Sequence, residues 1–161
     1  MQRTFWHSGG AWVLAQSVLM TAAIALGVVF HGDWTVTTVI VPGVALFLAG
    51  GVVGIAGVWE LGRNRTPFPR PSEGSEFIQR GIYARVRHPL YLSVMLASLG
   101  WALLWQSWPS FVAALTLIPF FHAKARREER WLREKFPDYA GYAERVPRFL
   151  PRIRPPPPAT I

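Results

Sequence analysis

The chain has no cysteine, only four histidines, and nine acidic residues among 161. Without cysteine there is no disulfide framework, no thiolate nucleophile and no cysteine-ligated zinc. The histidines, His7, His31, His88 and His122, stand far apart and form no close ligand pair, so metal catalysis is not expected. Charge is also missing over long stretches. Residues 11–30 and 35–59 carry none, and each run is long enough to cross a bilayer core of about 30 Å. A removable leader is the rival reading of the first run. No small-residue cleavage site before polar sequence supports it, and more apolar segments follow.

Two shorter uncharged stretches, residues 90–105 and 108–121, are separated only by Gln106 and Ser107. They read as a tight helical hairpin whose flanking Arg and Lys stems reach outward toward headgroups. The fold expected is therefore all-α, a polytopic membrane protein with about four transmembrane helices. A re-entrant or interfacial pair is the alternative for the second half. One membrane-embedded domain, residues 1–154, precedes a Pro-rich tail, residues 155–161.

What is abundant is positive charge: 17 Lys and Arg give a formal net charge of +8. The basic residues gather between residues 60 and 88 and again from Lys124 onward, while the two short turns are nearly uncharged. By the positive-inside rule both basic segments and the N-terminus with Arg3 face the cytoplasm, which four spans satisfy. Charge of this kind beside apolar spans reads lipid headgroups and fixes topology, so membrane lipids rather than nucleic acid are the expected partners. Oligomeric state leaves no mark in the sequence.

The second run contains AGGVVGIAG at residues 49–57. Gly50 and Gly54 have small-xxx-small spacing, with Gly57 nearby, which lets helix backbones approach closely in lipid; a cofactor lying on the glycine face is the alternative. Pro67, Pro69 and Pro71 then favour a stiff, extended cytoplasmic loop that can lie over a site. Helical periodicity runs from Phe120 to about Lys135 and turns from apolar to amphipathic at Lys124, so a C-terminal helical extension leaves the membrane along or above its surface.

Chemistry concentrates at RHPLY, residues 87–91. Pro89 suits the first position of a helix, whose free N–H groups and partial positive charge favour an anion, with Arg85 and Arg87 beside it. Arginines set against lipid phosphates are the plainer account. Glu128 and Glu129 sit near the interface, where helix salt bridges to Lys124 and Arg133 are available. The alternative is a carboxylate that receives a ligand's ammonium group. With Phe77, Tyr83 and Tyr91 as aromatic walls, these residues describe a pocket with positive and negative poles. A zwitterionic, aromatic-bearing cofactor matches it.

GIYARVRHPLY at residues 81–91, an apolar hairpin, and RREERWLREKFPDYAGYAERVPRFLP at residues 126–151 together resemble the isoprenylcysteine carboxyl methyltransferase and phospholipid methyltransferase group. The resemblance covers roughly residues 61–151. It implies an integral membrane enzyme that uses S-adenosylmethionine bound at the cytoplasmic ends of the last spans. Carried over by position, cofactor contacts come from Phe77, Ile78, Tyr83, His88, Pro89, Tyr91 and Glu128. Lys124 stands where the prenylcysteine enzymes hold the substrate carboxylate with an arginine, and Arg126 and Arg127 follow. Lys124, Arg127 and Glu129 are accordingly the catalytic candidates.

The implied reaction is methyl transfer to a lipophilic acceptor at a bacterial inner membrane. An isoprenylcysteine-like carboxylate needs no general base. A phospholipid amine must lose a proton, for which Glu129 or His88 are candidates. A small transporter or scaffold is the reading from another class, but a cation carrier wants an acid within a span and the four apolar runs contain none.

Overall fold

A computed structural model describes residues 9–62, 74 and 76–150, and everything described is helix, turn or loop, with no strand among the described residues. The Pro67, Pro69 and Pro71 stretch, Arg3, His7 and the polyproline tail lie outside the described residues. Among the described residues five α-helices follow in order: α1 Gly10–Val29, α2 Ile40–Leu61, α3 Pro89–Leu104, α4 Trp108–Lys135 and α5 Tyr139–Arg145. Short 3₁₀ turns, Thr37–Val39 and Gly81–Ala84, precede α2 and α3.

The helices α1 and α2 follow from the two long uncharged runs. Both are long and apolar enough to cross a membrane, and only 11% of either apolar window is buried. The core helix of a soluble protein would be mostly covered, whereas Val18, Val52 and Ile55 are each about two-thirds exposed. An exposed apolar surface of this extent suits a membrane. In the hairpin that follows, α3 is shorter, 16 residues or about 24 Å at 1.5 Å per residue, and α4 is longer at 28 residues.

The central helix is α3, with no exposed residue along its length. Against one side lies α2, and against the other lie α4 and α1. Contact between α2 and α3 depends on missing side chains. Buried Gly43, Gly50 and Gly57 recur every seventh residue on one face of α2, and a Cβ on any of them would press into α3. Ser93 adds a bond, its Oγ donating to the Gly50 carbonyl at 2.7 Å. Gly43, Gly50 and Gly57 thus seat α3 by close packing, the plainer of the two readings of the glycine run.

At one end of the bundle the two short turns meet. Gly32 N–H donates to the Trp105 carbonyl at 3.0 Å, and Asp33 accepts from the Trp108 N–H at 3.2 Å, serving one of the orphan donors at the start of α4. Ser107 Oγ and Ser110 Oγ donate to the Leu26 and Ala23 carbonyls of α1. The start of α3 and the cationic half of α4 consequently lie together at the opposite end. From the apolar hairpin α4 runs unbroken through Pro119 to Lys135. Beyond it α5 packs Tyr139 and Tyr142 on Phe77, Leu132 and Phe136.

Candidate active site

The chain enters α3 through Arg87 and His88, with Pro89 in the first turn. Proline there loses nothing, since its missing N–H would have no helical acceptor. His88 Nε2 donates to Glu129 Oε1 at 3.2 Å, and its Nδ1 lies 3.6 Å from Glu128 Oε2. One helical turn on, the Tyr91 hydroxyl donates to Glu128 Oε2 at 2.6 Å. The His88 and Tyr91 rings are parallel, with centroids 5.3 Å apart, and Phe121 stacks on Tyr91 at 4.9 Å. Adjacent residues of one helix, Glu128 and Glu129 thus both reach the same histidine.

A cavity of about 110 Å³ opens beside this group, lined by Leu61, Tyr83, Arg87, His88, Pro89, Leu90, Tyr91 and Glu128. Its walls carry one carboxylate, one guanidinium, an imidazole, two phenol rings and the start of a 16-residue helix. Burial, then the charge of Glu128, raises the Tyr83 hydroxyl above the ordinary phenol range, so Tyr83 stays neutral.

Five of the proposed cofactor contacts, Tyr83, His88, Pro89, Tyr91 and Glu128, come together in this cavity. Phe77 does not join them; it stacks on Phe136 at 5.2 Å and meets Tyr142 edge-on at 5.1 Å. Ile78 is half-buried and is likewise not part of the wall. Lys124 is buried behind Tyr91, its Nζ 5.1 Å from the ring centroid and donating to Gln16 Oε1 of α1 at 2.5 Å. Arg127 is exposed and lies over Trp131, away from the cavity.

Glu129 is 1% exposed and surrounded by cations. Arg148 Nε and Nη2 donate to its two oxygens at 2.8 and 2.7 Å, Arg87 Nη2 lies 3.4 Å away and Arg133 Nη2 3.8 Å. Burial opposes its charge, but the hydrogen bonds from Arg148 and His88 and the charges of His88 and Arg87 prevail. They hold its carboxyl well below the usual carboxylate range. Its carboxylate ties Arg148 and His88 together and lies beside Arg87.

Arg148 is the site residue that sequence reasoning missed. Its signal was the Val146–Pro147–Arg148 step, which contributed to the resemblance without suggesting a partner 19 residues earlier. Gln16 was missed as well, since a lone amide in an apolar run has no local pattern.

A charged cavity at one end of an α-helical bundle with two lipid-exposed apolar helices defines a membrane protein with a polar site at its rim. Residues 37–139 match the phospholipid methyltransferase family model, and the chain belongs to that family, within the isoprenylcysteine-methyltransferase-like group of membrane methyltransferases. Two curated proteins are similar over 91% of the chain. The cobalt-zinc-cadmium resistance protein CzcN of Cupriavidus metallidurans is 30% identical, and the nickel-cobalt-cadmium resistance protein NccN of Alcaligenes xylosoxydans xylosoxydans is 28% identical. The chain spans 65% and 66% of their respective lengths.

Proposed function

We propose that the chain is an integral membrane methyltransferase that takes a methyl group from S-adenosylmethionine, held in the cavity at the start of α3, and gives it to a lipophilic acceptor. The observation that carries this reading is the shared cavity of Tyr83, Arg87, His88, Tyr91 and Glu128. Its donor set suits the cofactor. Glu128 offers a carboxylate to an ammonium group, Arg87 and the first N–H groups of α3 offer cationic and dipolar partners to a carboxylate, and Tyr83 and Tyr91 offer ring faces to a sulfonium. At about 110 Å³ the cavity is smaller than the roughly 300–1,000 Å³ of small-molecule pockets, so these walls enclose one end of the cofactor.

On this reading α1 to α4 all span a bacterial inner membrane, with the basic end and the cavity in the cytoplasm, and the acceptor arrives sideways from the lipid. When bound, S-adenosylmethionine supplies an electrophilic methyl: the acceptor's lone pair forms the new bond to carbon while the sulfur–carbon pair returns to sulfur. The protein's part is alignment and exclusion of water, supplied by the stacked His88, Tyr91 and Phe121 rings.

An isoprenylcysteine-like carboxylate is the acceptor favoured, because it needs no base and Glu129 is held ionised by its cations. Lys124 is the cation nearest the site on the α1 side and suits an anionic acceptor. The match to the phospholipid methyltransferase model favours a second reading, a phospholipid amine.

Calorimetric titration of detergent-purified protein with S-adenosylmethionine tests the donor site. His88→Ala and Glu128→Ala are each expected to weaken binding about tenfold or more while the fold survives. Equal affinities for wild type and both variants remove these residues from the site. Incubation with labelled donor and either N-acetyl-S-farnesylcysteine or phosphatidylethanolamine, followed by mass spectrometry, separates the two acceptors.

A further inference from the structure

The family match ends at residue 139, yet the residues after it hold the cavity wall at five points. The Tyr142 hydroxyl donates to the Tyr83 carbonyl at 2.6 Å. Arg87 Nη1 donates to the Ala143 carbonyl at 3.0 Å. The Arg87 and His88 N–H groups, just ahead of α3, donate to the Pro147 and Arg148 carbonyls at 3.0 and 3.1 Å. Phe149, 7% exposed, brings its ring to 6.1 Å from that of His88 and 4.7 Å from that of His122. Arg148 then reaches back to α4 and grips Glu129 with two hydrogen bonds, and Glu129 in turn accepts from His88.

Three cavity residues, Tyr83, Arg87 and His88, are therefore fixed by a segment that forms no cavity wall itself. Two backbone bonds set the height of the chain at Arg87–His88. The Arg148–Glu129–His88 relay sets the turn of the imidazole, leaving Nδ1 toward Glu128.

We propose that residues 139–149 are a strap that completes the donor site, with Arg148 as a positioning residue acting on His88 through Glu129. The proposal rests on the reading of that cavity as the donor site. Bidentate geometry is what fixes the orientation of Glu129, because two parallel N–H donors define the carboxylate plane where a single ammonium cannot.

The test compares wild type with Arg148→Met, Arg148→Lys and, as a charge-matched control on the same segment, exposed Arg145→Met. Titration with S-adenosylmethionine near pH 7.5 is expected to show about a tenfold loss for Arg148→Met, a smaller loss for Arg148→Lys, and wild-type affinity for Arg145→Met. A pH series adds a readout that general loosening does not move. Glu129 faces Arg87 and His88 ahead of α3, Glu128 and Arg133 on α4, Tyr139 on α5 and Arg148 on the strap. Losing the two strongest of these bonds lets it protonate at higher pH, so Arg148→Met is expected to lose further affinity on going from about pH 7.5 to about pH 5 where wild type does not.

Amide hydrogen exchange on the same samples, without donor, is expected to quicken at Arg87 and His88 in Arg148→Met. Unchanged exchange there overturns the strap, whatever the donor does. Wild-type affinity and a wild-type pH profile in Arg148→Met overturn its positioning role. Failure of the wild type itself to bind the donor defeats the donor-site reading, and with it the claim that the strap serves that site.

Discussion

Two neighbouring glycines of α2 offer opposite responses to the same added methyl. An ideal Cβ on Gly50 lies 2.8 Å from Ala97 N and 2.8 Å from Ser93 O, both backbone atoms of α3. Neither can rotate away, so Gly50→Ala must push α2 from α3. Overpacking of this kind costs about 1–3 kcal/mol. Parting the helices also stretches the 2.7 Å bond from Ser93 to the Gly50 carbonyl, worth about 0.6 kcal/mol between helices in a membrane. Against this, alanine gains up to about 1 kcal/mol of helix propensity. A Cβ on Gly51 meets nothing within 4 Å, so Gly51→Ala keeps the gain alone. The two variants should therefore differ by about 2–4 kcal/mol, with Gly50→Ala below wild type and Gly51→Ala at or above it. Unfolding in mixed micelles of rising SDS fraction, followed by the circular dichroism of the helices, reads the difference. Equal midpoints for the two variants would refute the claim that missing side chains on this face seat α2 on α3.

Tyr91→Phe deletes the donor to Glu128 and leaves the ring stack in place; a hydrogen bond to a charged group is worth about 1.5–3 kcal/mol, so donor affinity should fall about tenfold or more by calorimetry. An unchanged value would show that Tyr91 does not orient Glu128 for binding. Acid stability follows Glu129. Its folded pKa lies below the unfolded value of about 4.3, so its contribution is complete above that value and is lost as pH falls through it toward the folded one. The thermal midpoint in detergent should drop from about pH 5 downward, and Glu129→Gln, less stable at neutral pH, should converge on wild type as the pH falls. A constant gap between the two across the series contradicts this. Lys124→Met keeps the buried volume and removes the ammonium held by Gln16; acceptor KM should rise about tenfold or more with donor affinity within about twofold. Equal losses of donor and acceptor binding would move Lys124 out of an acceptor role.

Much of the fold was legible because apolar runs are a local signal. The expected runs 11–30 and 35–59 match α1 Gly10–Val29 and α2 Ile40–Leu61 to within a few residues, apart from the 3₁₀ turn ahead of α2. Gln106 and Ser107 do mark the hairpin, Gln106 through its left-handed φ of 51° and Ser107 as the cap of α4. The seven-residue recurrence of Gly43, Gly50 and Gly57 was only half visible. Small-xxx-small spacing singles out Gly50 and Gly54, with Gly57 nearby, and all three meet α3, whereas Gly43 emerges only from the two-turn repeat of a nearly parallel or antiparallel contact. The short α5 has no period long enough to stand out, and its aromatic partners are spread from Phe77 to Phe136.

The site divides along the same line between local and distant. His88, Pro89 and Tyr91 are set by one helix start, and Glu128 faces them from the next helix of a hairpin, so a short motif carries their placement. Along a lone helix the cation four residues from Glu129 is Arg133, and that spacing points to it as the partner. In the folded chain Arg133 is the most distant of its four cationic contacts, at 3.8 Å, and is half exposed. Arg148, 19 residues on, approaches to 2.7 Å. Helical spacing reports which charges can meet before the chain folds back. A buried carboxylate is held by whichever cation tertiary packing can bring, desolvate and aim, and a two-pronged guanidinium on a returning segment outcompetes a flexible neighbour in water. For an amine acceptor, a proton-accepting Glu129 would have to work against the Arg148 clasp, while Glu128 lines the cavity.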